Sequence, residues 1–351
     1  MTSRERVSLA LAHKSTDRPA VQYYYSPVGY YEHGEKLNDL YAKYPGDFAP
    51  FARQPVPVLP KEDFDEDGRY HVFQTDRWGV TYEYRVFGMM GHAMGFPVKS
   101  LEDMADYKFP PNPDYLNDEN AMTNLTNHVT NFKKDYFAMM GSGGSYFEIV
   151  SAVRGFDNLM MDLYDDSEEI NAFLDRLTDY HLQTILALIK SGAEGITFGD
   201  DYGTQHDLII SKDLFRHAIK PRLNRLMEPI RAAGLHIHFH SCGRIIDLFD
   251  DFRDIGVNSI WPQMPAYGLH ELHDACKEYN FSIALHPDRA VTMTHGTPDD
   301  VRELIGTINE LYKPKDGGAW FYVEADTGFP FENIKALVEG ITRFSDAYMH
   351  L

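Results

Sequence analysis

From Tyr136 onward the chain alternates short apolar runs with longer amphipathic ones. The short runs, Tyr136 to Gly141, Gly195 to Phe198, Leu235 to His240, Val257 to Ile260, Phe281 to Leu285 and Ala319 to Val323, have the length of strands. Between and after them lie helical patterns over Tyr146 to Tyr164, Ser167 to Ser191, Lys212 to Ala233, Ile245 to Ile255, Leu269 to Tyr279, Pro298 to Tyr312 and Phe331 to Tyr348. Ser167 is placed as an N-cap and Gly192 as a closing residue, while Pro221 and Pro229 predict a kink in the Lys212 helix. Ahead of these, Thr2 to His13 reads as an amphipathic helix and Ala20 to Tyr25 as a first strand. Strand and helix units joined by short connections imply parallel strands with right-handed crossovers. Seven or eight such units predict an α/β fold, a single (β/α)8 TIM barrel with an N-terminal helical extension. Asp47 to Tyr115, rich in Pro, Gly and Asp, reads as an irregular insertion with a hairpin around Arg77-Trp78-Gly79 and Tyr82 to Val86. No linker divides the chain, so one domain is expected over residues 1–351, and a doubly wound open sheet lacks its glycine fingerprint.

Composition narrows the partners. A formal net charge of −20 argues against nucleic acid and against an anionic membrane surface. The absence of an apolar leader or a bilayer-length apolar run predicts a soluble chain, and two cysteines, Cys242 and Cys276, suit the reducing cytoplasm. Cys276, in a helix-like stretch, is expected to be a buried structural thiol, which leaves Cys242 as the thiol of interest.

The stretch LHIHFHSCG, Leu235 to Gly243, alternates apolar residues with His236, His238 and His240 and breaks at Ser241-Cys242-Gly243. Period two puts His240 and Cys242 on one side of the strand tip, where imidazole and thiol form two legs of a tetrahedral zinc site. Polar strand positions and a packed thiol are the competing structural reading. Barrel chemistry sits at the strands' C-terminal ends, so Glu324 on the last strand is the expected third ligand, with Asp326 as its rival and Glu148 able to fill the fourth position when substrate is absent. The competing reading is that these acids cap the following helices, evenly balanced for Glu324 and favoured for Glu148. Asp200, Asp201 and Tyr202 form a turn after the Gly195 strand, and at most one of the two carboxylates is expected to face the cleft as a base or orienting group. The five-tyrosine cluster YYYSPVGYY (Tyr23 to Tyr31), with Tyr23, Tyr25 and Tyr30, is either a packed wall or the lining of a pocket for a flat or methylated ligand. Met94, in a Met- and Gly-rich run, and His286 after the Phe281 strand are further candidates for substrate contact.

Several motifs then resemble the uroporphyrinogen decarboxylase superfamily: HSCGR followed by IIDLFDDFRDIGVNSIWPQ, FGDDYGTQ from Phe198, KPRLNRL, HGTPDDVREL and FPFENIKAL. More narrowly, with the opening RERVSLALAHKSTDRPAV, they are similar to the branch of corrinoid-dependent zinc methyltransferases, and the resemblance covers nearly the whole chain. The decarboxylases carry an Arg-Gln-Ala-Gly-Arg element where this chain reads YYYSPVGYY, so a polyanionic tetrapyrrole substrate is not expected. The branch binds zinc through His-x-Cys and a later Cys; His240 and Cys242 match, and Glu324 stands near the place of the missing thiol.

The resemblance implies zinc, a partner corrinoid protein carrying cobalamin, and methyl transfer between that cobalamin and a small methoxylated compound, aromatic for preference, as in O-demethylase systems. A decarboxylase-like lyase, or methyl transfer to a thiol or to tetrahydrofolate, is the alternative. A homodimer is the assembly to test for.

Overall fold

A computed structural model describes residues 1–142 and 144–348; Gly143, within the GSGGS run of the sequence reading, lies outside the described residues. Ten strands are present among them: β1 (Val21–Tyr24), β2 (Val72–Thr75), β3 (Thr81–Tyr84), β4 (His92–Gly95), β5 (Met139–Gly141), β6 (Gly195–Gly199), β7 (His236–Ser241), β8 (Ser259–Pro262), β9 (Ser282–Leu285) and β10 (Ala319–Glu324). Seven of them run parallel and alternate with helices, giving the TIM-barrel-like α/β fold that the periodicity predicts.

The chain divides into two compact units. The first comprises residues 1–58, 132–138 and 258 onward, and its parallel strands lie in the order β1-β10-β9-β8. Tyr24 stands level with Glu324 in the β1/β10 ladder. The first helix, Ser3–Leu11, is tied to β1 through Asp47. That buried carboxylate accepts hydrogen bonds from Ser3 Oγ, Arg6, Arg18 and the Val21 amide. Two guanidiniums on one buried acid are the compensation that makes its burial affordable. Asp47 thus belongs to this clasp, where the sequence reading made it the start of an insertion.

The second unit comprises residues 59–131 and 139–257, with parallel strands β5, β6 and β7 in that order. The predicted hairpin is there as β2 and β3, joined through a turn in which Asp76 Oδ1 accepts from the Trp78 and Val80 amides. β4 adds a third antiparallel strand in a segment that sequence alone shows as a Met- and Gly-rich loop. The long helix Glu168–Ser191 starts at Ser167, whose side chain accepts from the Ile170 amide, and ends at Gly192 with φ 86°, both as predicted. The predicted Tyr146 to Tyr164 helix is instead two, Phe147–Arg154 and Phe156–Asp165, parted at Gly155 with φ 90°. Where a proline kink is predicted, a π-helical turn over Phe215–Ile219 precedes the helix Lys220–Ala232, which has Pro221 in its first turn and Pro229 within it. Beneath the ends of β6 and β7 an aromatic core packs Tyr202, Phe215, Phe239 and Phe252, with Phe239 and Phe252 centroids 4.7 Å apart.

Candidate metal centre

β6 and β7 pair with Gly199 level with His240, so the turn after β6 and the turn after β7 emerge side by side. The Asp200 amide donates to the His240 carbonyl and the Tyr202 amide to Ser241 Oγ, which locks the two turns together. Their closest approach is glycine on glycine. A Cβ at Gly203 would meet the Arg244 nitrogen at 2.5 Å, and one at Gly243, whose φ is 71°, would meet the Gly203 carbonyl carbon at 2.1 Å. Both glycines are therefore required by contact, and Gly243 by backbone conformation as well.

This locking gathers three side chains. His240 Nε2 lies 3.6 Å from Cys242 Sγ and 3.8 Å from Asp201 Oδ1, and Asp201 Oδ1 accepts a hydrogen bond from the Cys242 amide at 2.6 Å. One donor atom from each of the three lies within 4.8 Å of the others, and it is the group among the described residues that could hold a metal ion. All three are partly exposed, so a ligand can reach them. The spacing suits zinc: bonds of about 2.3 Å to sulfur and about 2.0–2.1 Å to nitrogen, at tetrahedral angles, separate S from N by roughly 3.6 Å. One imidazole, one thiol and one carboxylate also leave a fourth position for a substrate oxygen or sulfur.

The two adjacent aspartates do point apart. Asp200 is fully buried and accepts from Ser145 Oγ, from Tyr202 Oη and from the amides of Tyr146, Phe147 and Glu148. It is thus the cap of the Phe147–Arg154 helix. Burial pushes its carboxyl up against the pull of those donors. Tyr202 is also fully buried, its hydroxyl spent on Asp200 at 2.6 Å. Both residues, candidates for catalysis by sequence position, hold the turn in place, while Asp201 is partly exposed beside His240 and Cys242.

Because Asp200 takes the helix-capping role, Glu148 is released from it. Glu148 receives one weak hydrogen bond, from Ser145 Oγ at 3.3 Å. Burial of its carboxyl, followed by the charges of Asp200 and Asp201, pushes it up to about 8. Glu148 is nonetheless an exposed residue, so solvent screens this effect and its upward direction alone counts.

The remaining predicted residues have these surroundings within their own units. Glu324, expected as the third ligand, sits in the first unit and faces Arg289 Nη1 at 3.4 Å and His286 Nε2 at 3.5 Å; in the metal-competent group Asp201 stands with His240 and Cys242. Asp326 shares Arg289 at 3.5 Å. His286 Nδ1 accepts from the Trp261 indole at 3.3 Å and its ring packs on Tyr322. Tyr23 packs on Tyr41 with centroids 4.2 Å apart, Tyr25 contacts the rings of Tyr30 and Tyr41, and Tyr30 is buried. Met94 is in the second unit, exposed on β4. Sequence reasoning missed Trp261, Arg289, Tyr322 and Tyr41. Period two back from Glu324 marks Tyr322, whereas nothing in the sequence marks Arg289, which arrives from a loop.

No curated protein matches the chain. Among solved structures, a methyltransferase from Methanosarcina mazei superposes with a TM-score of 0.64 at 15% identity, over 98% of this chain and 99% of that one. A dihydropteroate synthase from Xanthomonas albilineans matches with a TM-score of 0.32 at 12% identity, over 52% and 62%. No helix among the described residues is long and apolar enough to cross a membrane. A family model described as uroporphyrinogen decarboxylase (URO-D) matches residues 89–264, half of the chain and including the turns that carry Asp201, His240 and Cys242, and the chain belongs to that family.

Proposed function

We propose that the protein is a zinc-dependent methyltransferase that moves a methyl group between a small methoxylated compound, aromatic for preference, and the cobalamin of a partner corrinoid protein. The observation that carries this reading is the grouping of Asp201, His240 and Cys242, a donor set with the spacing of a zinc site and an open fourth position. The full-length likeness in fold to a methyltransferase is consistent with it.

Bound there, zinc would act as a Lewis acid toward an ether oxygen, or as a partner that favours the thiolate of a thiol substrate. The chain's own residues do the rest. Cys242 and His240 supply soft and borderline donors, and Asp201, held by the Cys242 amide, fixes the geometry between them. Glu148, whose carboxyl is raised above its ordinary value and receives one long hydrogen bond, can pass a proton to the oxygen that loses its methyl group. Asp200 and Tyr202 bind each other below the turn, so neither competes for that proton.

The test is methylation of cob(I)alamin by a panel of aryl methyl ethers with the zinc-loaded protein. Transfer by the wild type and its loss in His240→Ala, with the fold unchanged, are expected. A metal-free protein of full activity, or decarboxylation without methyl transfer, would instead favour the lyase reading.

A further inference from the structure

In the first unit, a cavity of about 470 Å³ opens at the N-terminal ends of β9 and β10, opposite to the strand ends where barrel chemistry sits. Pockets that hold small molecules span about 300–1,000 Å³. Its inner wall is apolar and aromatic, lined by Phe281, Ile283, Leu311, Tyr312 and Ala319, of which all but Leu311 are buried. The Tyr312 ring is fixed in place: its hydroxyl donates to the Leu269 carbonyl at 3.1 Å, and His273 meets it edge to face with centroids 5.3 Å apart. A further wall is made by close backbone approach. Gly317 and Gly318 have φ of 97° and 77°, and a Cβ on them would run into the Lys14 amide and the His13 ring, so the chain after the first helix lies flush on this turn. His13 is held there through Nε2, which donates to Ser282 Oγ at 3.1 Å because the serine's own proton goes to the Leu11 carbonyl.

Two features of the lining give the cavity its chemistry. The Cys276 thiol is 4% exposed, lines the cavity and has no hydrogen-bond partner among the described residues. Burial pushes it up to about 12, so it stays an S–H and presents a soft, uncharged face on which a flat ring packs well. At the rim stand Lys277 and Lys313, both exposed, and neither ammonium has an ion-pair or hydrogen-bond partner among the described residues. Asp316 is the single acid of the lining, in a chain with 53 acidic and 33 basic residues. A local excess of positive charge beside an aromatic wall thus runs against the composition of the chain, and it is the complement of an anion with a flat body.

We propose that this cavity is a second ligand site, for a small aromatic carboxylate whose ring packs on the wall of Cys276 and Tyr312 and whose charge stays at the rim with Lys277 and Lys313. The class of ligand follows from the walls. A cation would meet the two ammoniums, and a neutral aromatic would leave them without a counter-charge. A phosphate would lie against the C-terminal ends of the helices Leu269–Tyr279 and Pro298–Tyr312, where the peptide dipoles disfavour a second negative charge. A metal ion would need three convergent donors, which the described residues offer in the Asp201 group.

The experiment is isothermal titration calorimetry of the full chain with sodium 2-naphthoate, with 2-naphthamide as neutral and 2-naphthylmethylammonium as cationic control. Saturable binding of the naphthoate is expected, about threefold weaker in Lys277→Gln and in Lys313→Gln and about tenfold weaker in the double variant, as the loss of one and of two exposed charge contacts implies. Leu311→Trp, which puts a larger side chain into the cavity, should remove binding, and Cys242→Ala, at the metal centre, should leave it unchanged. Melting temperatures check folding, and the variants of the two exposed lysines carry the test if Leu311→Trp does not fold. No saturable binding in the wild type, equal binding of the amide or the ammonium, or full affinity in the double lysine variant or in folded Leu311→Trp would overturn the proposal. So would loss of binding in Cys242→Ala, which would put the carboxylate at the metal centre. The readout is binding alone, so it succeeds or fails independently of the transferase reading.

Discussion

In the proposed zinc site Asp201, His240 and Cys242 have distinguishable tasks, and substitution separates them. Cys242→Ala removes the soft donor and should reduce bound zinc from one per chain to a small fraction, measured by elemental analysis after dialysis. Asp201→Asn keeps an oxygen near the Cys242 amide but loses the charge, so zinc affinity should fall by about 10- to 100-fold while the melting temperature of the apoprotein changes little. Glu148 gives a pH signature. Its carboxyl is raised above the ordinary value of 4.5, so the proton is kept to higher pH than on an ordinary carboxyl and is lost as pH rises through the raised value. Methyl transfer from ethers should accordingly decline on the alkaline side, and Glu148→Gln should lower the rate and remove that decline. A pH profile with the same alkaline limb in wild type and variant would exclude Glu148 as the proton carrier. His240 and Cys242 were legible because strand periodicity puts them on one side of one strand end. The split between Asp200 and Asp201 was legible only in outline. Which of them turns inward depends on the amides at the start of the Phe147–Arg154 helix, a contact some fifty residues away in sequence.

Two turns make the centre, and their fit is set by glycine. Gly243 combines a left-handed φ with backbone contact to Gly203, so Gly243→Ala must shift one turn against the other. A strained position of this kind costs about 1–3 kcal/mol, and the displaced turn carries Cys242. The variant should therefore melt several degrees lower and bind zinc more weakly, whereas Gly192→Ala, with left-handed φ but open space around it, should destabilise without affecting zinc. Equal zinc affinity in both variants would show that the turn contact does not position the site. The long helices and the parallel strands were legible to within a few residues, because their apolar periodicity is sustained and their caps are ordinary. Gly155 splits a helix that periodicity alone runs together, since apolar positions on its two sides keep nearly the same spacing. β4 was illegible for a different reason: His92-Ala93-Met94-Gly95 has little strand propensity and is held by pairing with β3.

For the molecule as a whole, repeated strand and helix units predicted the fold, and charge argued against nucleic acid and anionic membranes as partners. That Asp201 stands beside His240 and Cys242 follows from the pairing of β6 with β7, and spacing along the chain does not encode that pairing. The most direct measurement is zinc K-edge X-ray absorption on the zinc-loaded protein. The account predicts a four-coordinate ion with one sulfur at about 2.3 Å and nitrogen or oxygen neighbours at about 2.0–2.1 Å, the sulfur vanishing in Cys242→Ala. A wild-type protein that takes up no zinc, or a zinc shell without sulfur, would contradict it.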